Sequence, residues 1–225
     1  MRIVLVLDQY DSLNNGTTAT ARRFAESLRA RGHTVVVLAA GESGPDRVGA
    51  AEFTIPLFQP LIRGQGFCFA KPDDAAYYEA FKDADIVHFF LPFPFCRRGE
   101  EIARQLKIPT IAAFHTQPEN ITYTFGLGRN RAVNGLLYRG FRNGFYNRFH
   151  YIHCPSDMIA RQLAQHGYTA QTRVISNGVD EAFSPVEAER PTAWTNKFVV
   201  LMVGRLSGEK RQDLIMRAAQ LSRHA

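Results

Sequence analysis

The sequence contains few cysteines, and their spacing fits neither a metal site nor a disulfide framework. Three occur in 225 residues, Cys68, Cys96 and Cys154, far apart and without a C-x-x-C pair. An odd number at such spacings excludes a zinc ribbon and a small disulfide-stabilised fold. We expect three reduced thiols, which are typical of a cytoplasmic protein.

Long apolar runs are also missing. The N-terminal run ends at Asp8, which is too early for a signal peptide, and no small-residue cleavage site follows. No other run approaches the roughly 18 residues of a membrane-spanning helix. We therefore expect any contact with a membrane to be peripheral, at the inner face of the plasma membrane.

Acidic residues are absent from one long segment, although the chain contains 21 of them. The segment runs from Asn120 to Ser156 and holds five arginines, at positions 129, 131, 139, 142 and 148. A local basic block suits an anionic membrane or a polyphosphate ligand; the alternative is the solvated face of a helix. No nucleic-acid-binding motif accompanies it, so we expect no nucleic-acid partner.

Apolar and amphipathic segments alternate regularly along the chain. Apolar runs predict buried strands at 2–7, 34–39, 85–90, 109–114, 151–154 and 172–175. Helices are predicted between them at 17–31, 73–83, 100–106, 131–148 and 156–165. Because buried strands joined through helices pair in parallel, this order predicts an α/β fold with a doubly wound, Rossmann-like parallel sheet.

The alternation is interrupted once, which predicts two domains. Residues 1–176 are expected to form the first domain, and 177–196 have the composition of an interdomain linker. Residues 197–225 then predict the first β-α unit of a second domain, with a buried strand at 198–203 and a helix from 211. A lone β-α unit cannot bury its own apolar face. We expect a fragment, a truncated gene product, or a protein that packs this unit against something else.

Ligands of open parallel sheets bind beyond the carboxyl ends of the strands. Four loops are expected there, at 8–18, 91–97, 115–128 and 204–210, and three of them carry suitable residues. The first leads to Gly16 at a helix start, between Asn15 and Thr17, where backbone N–H groups can approach a phosphate or a sugar. It contains neither G-x-G-x-x-G nor the G-K-[ST] of a P-loop. An ordinary turn glycine is the alternative.

The second loop begins at His115, directly after a predicted strand. An imidazole at this edge can hydrogen-bond a substrate hydroxyl or carry a proton, and Glu119 and Asn120 follow in the same loop. The alternative is a histidine that caps the loop. His88 also ends a strand, but we expect a structural role for it because an apolar run follows.

The third loop follows the strand predicted in the second domain. That strand ends at Gly204, and the cations Arg205 and Lys210 come before the next helix. Two cations and a helix N-terminus suit a diphosphate. A basic surface turn is the alternative.

At these residues the sequence resembles the retaining glycosyltransferases of family 4, which have the GT-B fold of two facing Rossmann-like domains. The resemblance lies in the passages 174–180 with Phe183 and Pro185, 201–210, and the N-terminal strand, Gly16-led helix and Arg31-Gly32-His33 turn. The first two, in this order and spacing, are specific. They imply a GT-B N-terminal domain followed by an incomplete second Rossmann-like domain.

The resemblance implies a hexosyltransferase that moves a sugar from a nucleotide-diphosphate donor, expected to be UDP-linked, to a lipid or glycan acceptor. The implied catalytic set is His115, at the donor sugar, with Arg205 and Lys210, which neutralise the departing diphosphate. Those cations replace a metal, so neither a metal nor a cofactor is expected. The implied donor and acceptor cleft consists of Asn15, Gly16, Thr17, Glu119, Asn120, Asn177 and Gly204.

The sequence departs from the family pattern in ways that leave other functions open. Asn15 stands where the family often has a second glycine, and Arg211 follows Lys210 in place of a common glycine. The paired glutamates of the family would lie beyond Ala225, so activity of this chain alone is open. One alternative is an epimerase of the same fold. Another is a non-catalytic truncated binding module that needs a partner or the missing C-terminal domain.

The segment 134–151 mixes aromatic and basic side chains, as in an interfacial helix on anionic lipid. Many family members glycosylate lipids, and a lipid acceptor is therefore our hypothesis. The alternative is a core-packing helix with a solvated arginine face. The membrane-surface candidates are Arg139, Arg142, Phe145 and Arg148.

Overall fold

A computed structural model of the protein describes residues 1–12, 15–64, 66–179, 182–187, 189–204, 206 and 210–222. The strands are β1 (Arg2–Gln9), β2 (Thr34–Ala40), β3 (Arg47–Ala50), β4 (Glu52–Phe53), β5 (Phe69–Ala70), β6 (Ile86–Phe89), β7 (Thr110–Ala113), β8 (Tyr151–Cys154) and β9 (Gln171–Val174). The helices are α1 (Gly16–Ala30), α2 (Gln59–Gly64), α3 (Asp74–Phe81), α4 (Pro94–Gln105), α5 (Pro118–Tyr123), α6 (Arg131–Gly144), α7 (Asp157–Gln165) and α8 (Gln212–Leu221).

The main sheet of the described residues has seven strands in the order β3-β2-β1-β6-β7-β8-β9. Every neighbouring pair in it is parallel. Neighbours in a strand point to opposite faces: the ring of His88 lies 6.0 Å from that of Phe24 in α1, whereas Phe89 lies against Gly99 of α4. Helices therefore cover both faces, which confirms the predicted doubly wound, Rossmann-like α/β sheet.

The central strands are apolar because both of their faces are covered. Residues 4–7 of β1 are fully buried. Two helices then start at capped positions. The Asn15 side chain accepts a hydrogen bond of 2.9 Å from the Thr17 N–H, and Ser156 accepts one of 3.4 Å from the Ile159 N–H. These caps place both helix N-termini at the carboxyl edge of the sheet, where a ligand is expected.

The segment between β2 and α3 was not predicted. It contains β3, the short helix α2 and the antiparallel pair β4–β5, which are too short to show a period of their own. α4 begins at Pro94 rather than at 100, because proline suits the first helical position. α6 ends at Gly144 rather than at 148, and a 3-10 turn follows at Tyr146–Arg148.

The expected second β-α unit is only half formed. Residues 198–203 form no strand and are exposed, so the prediction of a buried strand is wrong in this structure. No described strand pairs with this segment, and a strand without a neighbour leaves its backbone groups unpaired. α8 does form, but none of its described residues is buried. The division into 1–176, 177–196 and 197–225 stays a prediction.

Candidate active-site cleft

A cleft of about 610 Å³ opens at the carboxyl edge of the sheet. One part of its wall is polar and comes from the start of α1, the loop after β7, and the segments around 177 and 210. The rest is apolar and comes largely from α2, α5 and the loops beside β5 and β6. The cleft is lined by Asn15, Gly16, Thr17, Ile55, Phe58, Leu61, Ile62, Phe67, Phe69, Leu91, Phe93, His115, Thr116, Asn120, Ile121, Thr124, Phe125, Asn177 and Lys210.

The N-terminus of α1 faces the cleft. Asn15, Gly16 and Thr17 all line it, and a Cβ built on Gly16 would meet no atom within 4 Å. The first turn of α1 contains no acidic side chain. A helix N-terminus with open space and no nearby acid in its first turn is a site for an anion or for the oxygen atoms of a sugar.

His115 contributes a neutral imidazole to the same end of the cleft. Its ring stacks on Phe90 with centroids 5.3 Å apart, and burial together with the neighbouring His153 lowers its pKa to about 3. Its Nε2 atom is buried without a partner among the described residues. Such an atom gains most from a ligand that bonds to it. Of the two roles predicted for His115, the hydrogen bond to a hydroxyl fits, whereas proton transfer near neutral pH does not.

The segment around Asn177 is held by hydrogen bonds from α1 and β8. Arg23 of α1 donates through Nη1 to the Asn177 and Gly178 carbonyls, at 2.9 and 2.6 Å. His153 of β8 donates through Nε2 to the Ile175 carbonyl at 2.7 Å. Asn177 thereby lines the cleft, and its buried Oδ1 has no partner among the described residues. This oxygen is a second group available to a ligand.

Of the described residues of the third predicted loop, one lies in the cleft. Lys210 lines it, and a Cβ on the exposed Gly204 would lie 3.6 Å from the Lys210 Cγ. Gly204 itself supports Lys210 rather than lining the cleft. Arg205 lies outside the described residues, so its pairing with Lys210 stays a prediction.

Glu119 does not point into the cleft. Its Oε2 accepts a hydrogen bond of 2.9 Å from the Tyr138 hydroxyl, which ties α5 to α6. We correct its assignment to the cleft accordingly, since the carboxylate is turned away by this bond. The adjacent Asn120 does line the cleft, because neighbouring helical residues face different directions.

Two of the four membrane-surface candidates are structural. Phe145 is 1% exposed and lies in the core, so it cannot reach a membrane. Arg148 pairs with Glu100 at 2.8 Å and Glu101 at 3.3 Å, which directs its charge to α4. Arg139 is exposed and Arg142 is half-buried. Within the described residues, no helix has the length and apolar character needed to cross a bilayer.

The apolar wall of the cleft was not predicted. It is built around α2 and α5, where the rings of Phe58 and Phe125 meet edge to face at 5.9 Å. Both rings are also partly exposed, at 43% and 52%. A signal for it existed, because the stretch 53–69 is rich in aromatic and branched side chains. This stretch has neither helical nor strand periodicity, so the sequence did not predict that it forms a wall of the cleft.

Comparison with known proteins identifies the family. The model of Glycosyltransferase Family 4 matches residues 14–183, most of the chain. The chain belongs to glycosyltransferase family 4. The match begins just before the N-terminus of α1 and continues beyond Asn177, so it includes the polar end of the cleft except for Lys210.

Two curated relatives are about a quarter identical to this chain over the regions that align. An alpha-monoglucosyldiacylglycerol synthase from Streptococcus pneumoniae is 25% identical over 195 residues, which cover 85% of this chain and 42% of the relative. A GDP-mannose-dependent alpha-mannosyltransferase from Mycolicibacterium smegmatis is 27% identical over 226 residues, covering 95% of this chain and 58% of the relative. The chain thus spans about half the length of these relatives.

Proposed function

We propose that the protein is a hexosyltransferase that moves a sugar from a nucleotide-diphosphate donor to the hydroxyl of a lipid or glycan acceptor, with retention of the anomeric configuration. One observation carries the proposal: in a family 4 chain, the neutral His115, whose Nε2 has no partner among the described residues, faces the same cleft as the N-terminus of α1 and Lys210. We further propose that the donor is UDP-linked.

In this proposal the polar end of the cleft binds the donor. The N-terminus of α1 and Lys210, together with Arg205, hold the diphosphate and stabilise the negative charge that it gains as the glycosidic bond breaks. His115 hydrogen-bonds a hydroxyl of the transferred sugar, and its lowered pKa keeps the ring neutral while it does so. The Asn177 Oδ1 accepts a hydrogen bond from the donor. These cations supply the charge that a metal would otherwise supply.

The apolar end of the cleft favours a lipid acceptor. The rings of Phe58, Phe67, Phe69, Phe93 and Phe125 line it, and an acyl chain against them would bury apolar surface on both sides. The acceptor hydroxyl would then lie toward His115. The name of the Streptococcus pneumoniae relative, a glucosyldiacylglycerol synthase, supports this choice. We propose accordingly that the protein is cytoplasmic and works peripherally at the inner face of the plasma membrane.

Transfer by the native protein tests the proposal. The protein is captured from cells that make it with an antibody against this region, then incubated with radiolabelled UDP-glucose or GDP-mannose and with diacylglycerol vesicles or oligosaccharides. We expect an α-linked product from UDP-glucose that extracts into organic solvent. Failure to label any acceptor from either donor would contradict the proposal.

A His115→Ala variant tests the site itself. We expect the turnover to fall about 100-fold, the effect of removing one hydrogen bond that orients the substrate in the transition state. The matched control is His150→Ala, which removes an exposed imidazole outside the cleft and should keep full turnover. Equal activity of both variants would remove His115 from the mechanism.

A further inference from the structure

A second cavity, of about 670 Å³, lies between α6 and the turn that follows α7. We call it the arginine groove. All of its charged side chains are arginines that project from α6, and the facing wall is the end of α7 with its turn. The groove is lined by Arg131, Ala132, Gly135, Leu136, Arg139, Arg142, Gln165, His166 and Gly167.

Some arginines of the protein are paired with carboxylates, whereas those of the groove are not paired with any carboxylate of the described residues. Arg98 and Arg148 are bound to carboxylates at 3.2 Å or less. No ion pair joins Arg131, Arg139 or Arg142 to a carboxylate of the described residues. Like charges one turn apart, such as Arg139 and Arg142, destabilise a helix. A bound anion would offset the repulsion between these arginines and so stabilise α6.

The groove is open enough to admit a ligand. Gly135 lies one turn from both Arg131 and Arg139, and a Cβ built on it would meet no atom within 4 Å. Arg142 is held at the wall, because its Nη1 donates to the His166 carbonyl at 2.8 Å and its Nε to the Asn143 side chain at 2.9 Å. The guanidinium groups of Arg131 and Arg139 stay exposed and can close on a bound group from two sides.

We infer that the arginine groove binds the phosphate of an anionic phospholipid headgroup. The planar fork of a guanidinium matches a phosphate in geometry and charge. Leu136 lines the groove and is 67% exposed. Basic side chains beside exposed apolar ones match a membrane surface, whereas a soluble anion would gain nothing from the apolar side chains.

This inference rests on the proposed placement at a membrane and not on sugar transfer. Its test is therefore vesicle co-sedimentation of the chain without any substrate, so that failure of one proposal leaves the other standing. Vesicles of phosphatidylcholine with phosphatidylglycerol are compared with vesicles of phosphatidylcholine alone. We expect strong binding to the anionic vesicles and weak binding to the neutral ones.

The double variant Arg131→Gln with Arg139→Gln tests whether vesicle binding depends on the groove or only on the net charge of the chain. We expect the partition onto anionic vesicles to fall about 30-fold, since each basic side chain near the surface contributes roughly fivefold. The control is Arg31→Gln with Arg161→Gln, which removes the same charge from two exposed positions outside the groove. Equal losses in both double variants would overturn the inference, because binding would then follow net charge alone.

Gly135 allows a second test that preserves every arginine. Gly135→Glu places a carboxylate in the groove, and Gly135→Gln places a group of the same size without charge. We expect the Glu variant to bind anionic vesicles at least about tenfold more weakly than the Gln variant. Equal binding by the two would overturn the groove as the site. Release of the wild-type chain by millimolar inorganic phosphate at constant ionic strength would assign the groove to a soluble anion and also overturn the inference.

Discussion

Burial sets the charge of single residues at the edge of the sheet, and Asp8 shows this most clearly. The strand predicted at 2–7 stops before Asp8, but β1 continues through this residue and its side chain is fully buried. One carboxyl oxygen accepts a hydrogen bond of 3.2 Å from the Ala70 N–H, and the other has no partner among the described residues. Burial raises the pKa of Asp8 to about 7, despite the opposing backbone hydrogen bond.

The substitution Asp8→Asn should stabilise the protein at alkaline pH and not in acid. Because the folded pKa is raised, the contribution of Asp8 to stability is fully present below about pH 4 and is lost as the pH rises through about 7. Asparagine resembles the protonated acid at every pH. We expect a gain on the order of 4 kcal/mol in the free energy of unfolding at pH 8, and little at pH 4. Urea denaturation at the two pH values measures it; equal gains at both would contradict the raised pKa.

At the scale of secondary-structure elements, an ion pair of Arg148 joins the end of α6 to α4. Arg148 follows α6 in the 3-10 turn and reaches Glu100, whose side chain is 2% exposed. Arg104 approaches the same carboxylate only at 3.8 Å and is 68% exposed. The turn also places Phe145 and Tyr146 in the core. The basic and aromatic side chains at the end of this segment therefore attach α6 to α4 and to the core.

We predict that Arg148→Ala lowers the free energy of unfolding by about 3 kcal/mol, because it leaves the buried Glu100 carboxylate without its near partner. Arg104→Ala removes an equal charge from the exposed side and should cost less than about 1 kcal/mol. Urea denaturation of both variants compares them directly. A loss of vesicle binding in a stable Arg148→Ala variant would instead support the prediction from the sequence that Arg148 contacts a membrane surface.

In the whole molecule, three strands bring three histidines together. The ring centroid of His153 in β8 lies 6.1 Å from that of His88 in β6 and 5.5 Å from that of His115 after β7. Phe24 packs against His153, and Phe90 stacks on His88. Burial is the main cause that lowers the pKa of all three, and for His88 and His115 the neighbouring histidines lower it further. The cluster is therefore neutral when folded and lies directly under the polar end of the cleft.

Acid should unfold the protein through this cluster. A histidine with a lowered folded pKa contributes stability above its unfolded pKa of about 6.5, and that stability is lost as the pH falls toward the folded value, about 3 for His115. If all three stay neutral, the free energy of unfolding falls by up to about 4 kcal/mol per pH unit below pH 6. Asp8 has the opposite effect on the free energy of unfolding, because its raised pKa lets the folded state bind one proton more than the unfolded state over this pH range.

Urea denaturation at pH 7, 6 and 5 measures that slope. The variant His88→Phe keeps an aromatic ring beside Phe24 and Phe90 and removes one titrating group, so its slope should be about one third smaller. The variant His150→Ala removes an exposed imidazole and should leave the slope unchanged. An unaltered slope in His88→Phe would show that the cluster does not control acid stability.

Sequence alone was sufficient for the parallel sheet and for much of the polar end of the cleft. Continuous apolar runs specify strands buried on both faces, as in β1 and β2, and the residues just after such strands must reach the carboxyl edge. Asn15 to Thr17, His115 and Asn177 therefore meet in one cleft, as expected. Only the tertiary structure decided the side-chain environments: the neutral state of His115, the turn of Glu119 toward Tyr138, the burial of Phe145 and the apolar wall at α2. Each of these depends on which distant segment lies opposite, and contacts between distant segments leave no period or spacing in the chain itself.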